Sequence, residues 1–114
     1  MKSVTILLVL GASVVFAQAP LKKVTRAEAL SAVTSKSQPE YPAMARQLKI
    51  EGTVELDAIV TETGSVEEVN IVSGNPILTK PAAEAVKKWK FSPFLQDGKP
   101  VRASAPVVIV FKKQ

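Results

Sequence analysis

Cysteine and histidine are both absent from the 114 residues. Their absence removes disulfides, thiol nucleophiles, imidazole relays and the sulfur and nitrogen ligands that zinc prefers. Aromatic residues are scarce at 5%, which leaves few large side chains to anchor a core. No internal repeat or low-complexity tract is present, and the length allows one domain at most once a targeting segment is set aside. The remaining chemistry for catalysis is carboxylates. Glu67 and Glu68 are adjacent and would face opposite sides of a regular strand, so a paired acid and base is not expected there. No enzyme activity, cofactor, metal or small-molecule substrate is assigned from the sequence.

What is present is ordinary for a folded domain, with 46% hydrophobic and 22% charged residues. The formal charge of +5 raises nucleic acid as a partner, but the N-terminus argues against it. Lys2, an apolar stretch from Val4 to Phe16, and then small residues follow the order of an export signal. The stretch is short of the roughly 20 apolar residues a membrane span needs. Cleavage is expected after Ala17, because a cut after Ala19 would place Pro20 next to the scissile bond. The expected organisation is a signal peptide over 1–17, an N-terminal segment with a short helix over 18–36, and one domain over 37–114. A periplasmic location follows. The alternative is a retained anchor that leaves the domain on the periplasmic side of the inner membrane.

Within the mature chain, Gln18 to Lys23 lacks any period and is expected to be disordered. Thr25 and Glu28 have the spacing of a capping box, starting a short helix that runs to about Val33. Tyr41-Pro42 begins a second helix with Pro42 in its first position and Met44, Ala45 and Leu48 on one face. Gln38 or Ser37 would cap it from outside. Val54, Leu56, Ala58 and Val60 alternate with Thr53, Glu55, Asp57, Ile59 and Thr61, the two-residue period of a half-buried strand. A turn containing Gly64 leads to an antiparallel strand from Val66 to Ser73. Its alternation breaks across Glu67-Glu68, where a bulge would bring Val69 and Ile71 back to the inner face.

Thr79 is the expected cap of a third helix, in which Leu78, Ala82, Ala85, Val86 and Trp89 recur with helical period and would lie across the sheet. Trp89 and Phe91 are the expected large core residues, core packing being favoured over an aromatic ligand site. Asp97-Gly98 marks a turn. Pro106 opens the run Val107, Val108, Ile109, Val110 and Phe111, closed by Lys112-Lys113. A strand apolar on both faces belongs inside a sheet, yet this one comes last in a chain with few strands. It therefore presents an edge or face that expects a partner. Six acids, from Glu51 to Glu68, lie on the hairpin, and nearly all later charges are basic. Two solvated faces attracting each other within the fold is the expected meaning.

Several of these pieces occur together: Ser37-Gln38-Pro39-Glu40-Tyr41-Pro42-Ala43, then Ile50-Glu51-Gly52-Thr53-Val54, then Thr63-Gly64-Ser65-Val66, then Ala82-Ala83 and Trp89-Lys90-Phe91-Ser92-Pro93. In this order the stretch from Gln38 to Phe111 resembles the TonB C-terminal domain family. The resemblance implies an α+β fold with a three-stranded antiparallel sheet, a helix packed across it and short N-terminal helices. It also implies binding of an extended receptor segment, the TonB box, as a strand added beside the last strand. Carried over by position, the partner-binding residues are Ser37, Gln38 and Pro39 with Val107, Val108, Ile109, Val110 and Phe111. The implied partner is a segment of an outer-membrane TonB-dependent receptor or another envelope protein. The alternative is a self-associating structural protein, a strand-paired homodimer. Family transducers carry a membrane helix with a histidine and a proline-rich spacer, which this sequence does not display, so the expectation is the terminal domain alone.

Overall fold

The computed structural model describes residues 21–112; the expected export segment over 1–17 lies outside the described residues. Order begins earlier than expected. Lys22–Lys23 form a two-residue strand, β1, where the sequence suggested disorder. Its order comes from the backbone, since Lys22 donates to Arg102 O at 3.0 Å and Val24 to Ser104 O at 3.3 Å. Such bonds leave no periodic trace in side chains.

The capping box forms as expected. Thr25 Oγ1 accepts from Glu28 N–H, and the Glu28 carboxylate accepts from Thr25 N–H, opening helix α1 over Arg26–Ala32. Strand β2, Val33–Ser35, follows. Helix α2 spans Ala43–Gln47, and Pro42 is its N-cap rather than its first residue. No side chain caps it, so neither Gln38 nor Ser37 plays that part. Of the expected apolar face, only Ala45 is buried, and Met44 and Leu48 are exposed. The helix is too short to present two turns to the core, and its C-terminus bends away through Lys49 in the left-handed region (φ 56°).

Strand β3, Gly52–Val60, buries Val54, Leu56, Ala58 and Val60 as the alternation requires. It pairs antiparallel with β4, Val66–Ser73. The register shifts between the Ile59–Glu68 and Val60–Val66 pairs, which leaves Glu67 as the extra residue, and Val69 faces Ala58 while Ile71 faces Leu56. The bulge therefore sits at the expected position. A second shift, at Val72, was not anticipated. Gly64 takes φ 90° in the connecting turn, and a Cβ there would lie 1.9 Å from Phe91 O.

Helix α3 covers Pro76–Lys87, starting a turn earlier than expected. Asn75 rather than Thr79 is its cap, with Asn75 Oδ1 accepting from Ile77 N–H at 2.9 Å and Pro76 in the first turn. It packs over β3 and β4 through Leu78, Ala82, Ala85 and Val86. Short strands β5 (Lys90–Phe91), β6 (Phe94–Gln96) and β7 (Lys99–Val101) follow. β5 pairs with β2, and β6 with β7 across the Asp97-Gly98 turn, whose two positive φ angles suit a tight hairpin.

Strand β8 runs from Ala103 to Phe111, so Pro106 lies inside it rather than opening it. The main sheet has the order β1-β8-β3-β4. Its β8-β3-β4 part is the expected three-stranded antiparallel unit, and β1 adds two parallel pairs to the outer side of β8. The core joins β3 and β8 to α3, to Ala29 of α1 and to the aromatic residues Trp89, Phe91, Phe94 and Phe111.

Trp89 is 5% exposed and packs beside the Phe91 ring. Trp89→Ala is expected to cost about 3–5 kcal/mol in denaturant unfolding, as large aromatic truncations in cores do. Gly64→Ala should destabilise more than Gly98→Ala: both glycines have positive φ, but a Cβ at Gly98 meets nothing within 4 Å. Equal losses in thermal melts would refute the crowding at Gly64.

Candidate functional site

The pairing of β8 with β3 is continuous, from Gly52 opposite Phe111 to Val60 opposite Ala103. Because side chains alternate, Ala103, Ala105, Val107, Ile109 and Phe111 enter the core, while Pro106 and Val108 are half-buried and Val110 is 53% exposed on the other face. Backbone direction alternates as well. Arg102 O and Ser104 O bond to β1, so the even-numbered residues direct their N–H and C=O groups away from β3. Pro106, Val108 and Val110 therefore address the outer edge. Pro106 falls where a missing N–H breaks no bond to β3, which explains a proline inside a long strand. β1 covers this side only at Ala103 and Ser104. Among the described residues, no strand pairs with the outer side of β8 from Ala105 to Phe111.

The two segments expected to bind a partner meet at this edge. A groove of about 570 Å³ is lined by Gln38 and Pro39 from the joint before α2 and by Val110 and Phe111 from the end of β8. Tyr41 forms its apolar floor with Phe111, ring edge to ring face at 5.6 Å and 89°. The Tyr41 hydroxyl donates to Ile50 O, which fixes that ring. Arg46, Lys49 and Lys112 complete the lining. The sequence did not join these three cations, because Arg46 and Lys49 belong to α2 and its terminal turn while Lys112 follows β8, and the two ends meet only in the fold. Arg46 also donates to Tyr41 O at 3.1 Å.

Ser37 does not line the groove; it anchors the segment that does. Trp89 Nε1 donates to Ser37 O at 3.0 Å, and the Lys36 ammonium lies 5.5 Å from the centre of the Trp89 ring. Val107 and Ile109 face the core, so their part is to hold the edge in place. Among the described residues, Arg102 and Glu67 form an ion pair of good geometry at 2.8 Å, and the Glu67 hydrogen bond raises the Arg102 pKa.

Residues 37–112 match the family model described as Gram-negative bacterial TonB protein C-terminal. The chain belongs to the TonB C-terminal family. Protein TonB of Vibrio cholerae is 39% identical over 82 residues, covering 70% of this chain and 34% of that protein. The chain thus spans about a third of that relative's length. The solution structure of the Pseudomonas aeruginosa TonB C-terminal domain superimposes with a TM-score of 0.60 at 27% identity, covering 72% of this chain and 85% of that one. The tonb2 protein from Vibrio anguillarum gives 0.53 at 26% identity, covering 91% and 94%. The α+β fold of this chain is the fold of those domains. Among the described residues, no helix is long and apolar enough to cross a membrane.

The capping box at Thr25 and Glu28 directly follows the backbone bonds that hold β1. The backbone hydrogen bond from Thr25 holds the Glu28 carboxyl below its ordinary pKa, helped by the Thr25 side chain and Lys22. A carboxylate depressed in the folded state contributes stability above its unfolded pKa, and this is lost as pH falls through the lowered folded value. Protection factors at Thr25 and Val24, taken against the intrinsic exchange rate at each pH, should therefore fall in acid before those of the β3–β8 amides. Glu28→Gln should flatten that response; an unchanged acid profile in the variant would remove Glu28 as its cause.

Proposed function

We propose that this domain is a non-catalytic binding module of the cell envelope that takes an extended peptide segment as a strand on the outer edge of β8. The partner fitted by this reading is a segment of an outer-membrane TonB-dependent receptor, and the process it serves is TonB-dependent energy transduction. A periplasm-facing location, with the export segment either cleaved or retained as an anchor, belongs to the same reading.

The observation that carries it is the outward direction of backbone groups at Pro106, Val108 and Val110 beside a groove built from Gln38 and Pro39. Strand addition draws its affinity from such groups and its selectivity from neighbouring pockets. The cations Arg46, Lys49 and Lys112 favour a segment carrying an acidic side chain at the groove. Family membership supports the choice of partner class.

In an NMR titration with a TonB-box-like peptide, the Val108 and Val110 amides should shift first, together with the Gln38 side chain. Proline at Val108 or Val110 removes an outward N–H, so either substitution should abolish binding while β3–β4 amide signals persist. Shifts restricted to the acidic hairpin would refute the edge as the docking site. A tight dimer in light scattering, with the edge amides already protected, would instead assign the edge to a second copy of the chain.

A further inference from the structure

Strand addition uses the backbone of β8 and leaves the side chains of Pro106, Val108 and Val110 without a part. They lie on the face of the sheet opposite α3, where Val108 is half-buried and Val110 is exposed. The core cluster takes its β3 and β8 residues from the other face. On the open face Val110 stands opposite Thr53, Val108 opposite Glu55 and Pro106 opposite Asp57. Beyond β3, Asn70 of β4 stands opposite Asp57 and Ser73 opposite Glu55. An antiparallel sheet that faces water normally carries polar residues on that face. Here an aliphatic row on β8 runs beside an acidic row on β3.

The charge of this face is matched at one end and unmatched at the other. Arg102 comes just before β8 and Glu67 lies on β4, so their ion pair reaches across β3 beside Ile59. Ile59 is on the open face, outside the core cluster, yet is 6% exposed. That end is closed by an arginine of the chain itself. At the other end Glu55 and Asp57, half-buried beside Val108 and Pro106, form no ion pair among the described residues. Among the described residues, no three acids converge to hold a metal ion, so the acidic row calls for organic cations spaced along it.

The backbone decides the form of the occupant. β3 is paired on both sides, so its N–H and C=O groups are already taken. A segment lying on the face gains no hydrogen bonds from them, and an extended one would bury backbone groups unpaired. A helix satisfies its own. Its spacing also fits, since residues four apart on a helix rise about 6 Å and residues two apart on a strand rise about 6.6 Å. Two basic side chains one turn apart therefore meet Glu55 and Asp57, while apolar side chains on the neighbouring helical row meet Val108 and Val110.

We propose that the open sheet face formed by Glu55 and Asp57 with Val108 and Val110 is a second docking surface, and that it takes a basic amphipathic helix of a partner protein. It stands apart from strand addition, because the helix meets side chains on the face and the extended segment meets backbone groups at the edge.

The test titrates the full chain with a blocked alanine-based peptide of roughly 20 residues, long enough to be helical alone, that carries lysines four apart and a leucine three residues after each. A second peptide of the same composition places the leucines on the helix face opposite the lysines, and a third has glutamate for lysine. In NMR spectra the methyl signals of Val108 and Val110 and the amides of Glu55 and Asp57 should move with the first peptide, which should bind roughly tenfold tighter than the second. The third should not bind. Glu55→Gln combined with Asp57→Asn should weaken the first peptide roughly tenfold, since its lysines then lack charged partners; persisting β3–β8 amide signals show that the variant is folded. The glutamate peptide reverses the charge with the chain unaltered, so a variant that unfolds leaves the test intact. Equal binding of the first two peptides, or binding that survives loss of both carboxylates, would overturn the proposal. Intermolecular NOEs from the Val108 and Val110 methyls in a chain that light scattering shows to be dimeric would also overturn it, by giving the face to a second copy.

Discussion

The nine-residue register between β3 and β8 is the constraint on which the site depends. Antiparallel pairing decides two things for each residue of β8: which face its side chain takes and which edge its backbone addresses. Burial of Val54, Leu56, Ala58 and Val60 on β3 fixes the first. A slip of one residue would drive Pro106 and Val108 into the core and turn Phe111 outward, losing both the packing and the Tyr41 floor of the groove. The core therefore selects the backbone groups that remain available outside. Neither Val108 nor Val110 need be specialised for binding; their parity relative to the core is enough.

The outer edge is bounded as firmly as it is oriented. β1 occupies it at Ala103 and Ser104, and the Thr25–Glu28 capping box then turns the chain into α1. An uninterrupted continuation of β1 would have covered the rest of β8. Since β1 runs parallel to β8, it was heading along that edge when the box diverted it. The diversion also brings α1 over the side of the sheet where Val107 and Trp89 lie. At the far end, Trp89 anchors the carbonyl of Ser37 and so places Gln38 and Pro39 beside Phe111. One buried tryptophan thereby couples the core to the groove.

Much of this architecture was legible in the sequence. The alternation of β3, the helical period of α3, the capping box and the bulge at Glu67 all leave signals in which side-chain pattern and backbone state agree. Ser37, Gln38 and Pro39 were placed with β8 by family resemblance, and four of the residues expected to act together, Gln38, Pro39, Val110 and Phe111, share one groove. What escaped has a physical reason in each case. β1 and β5 are two residues long, too short for any period. The start of α3 was misplaced because Thr79 and Asn75 are both good caps, and Pro76 decides for the earlier one. The apolar run from Val107 was read without Ala103 to Ala105, whose small side chains carry little hydrophobic signal although Ala103 and Ala105 are fully buried. Arg46 and Lys49, on α2 and its terminal turn, meet Lys112 only through the fold, and no sequence spacing links them to it.

The backbone of this edge is not a strong ligand in itself. Pro106 offers an acceptor but no donor, so the donors inside the open stretch of β8 are the N–H groups of Val108 and Val110, with carbonyls at Pro106, Val108 and Val110. Each such bond contributes only about 0.5–1.5 kcal/mol net, and ordering a flexible segment opposes part of that gain. Micromolar affinity requires about 8 kcal/mol, which this set does not reach. Either the complex is weak, as suits a contact that must be made and released, or side chains supply the remainder. The same arithmetic protects the isolated domain: an edge with two free donors, a proline and a terminal lysine is a poor template for uncontrolled pairing. Selectivity for a partner then has to come from the aromatic and cationic groove that flanks the edge.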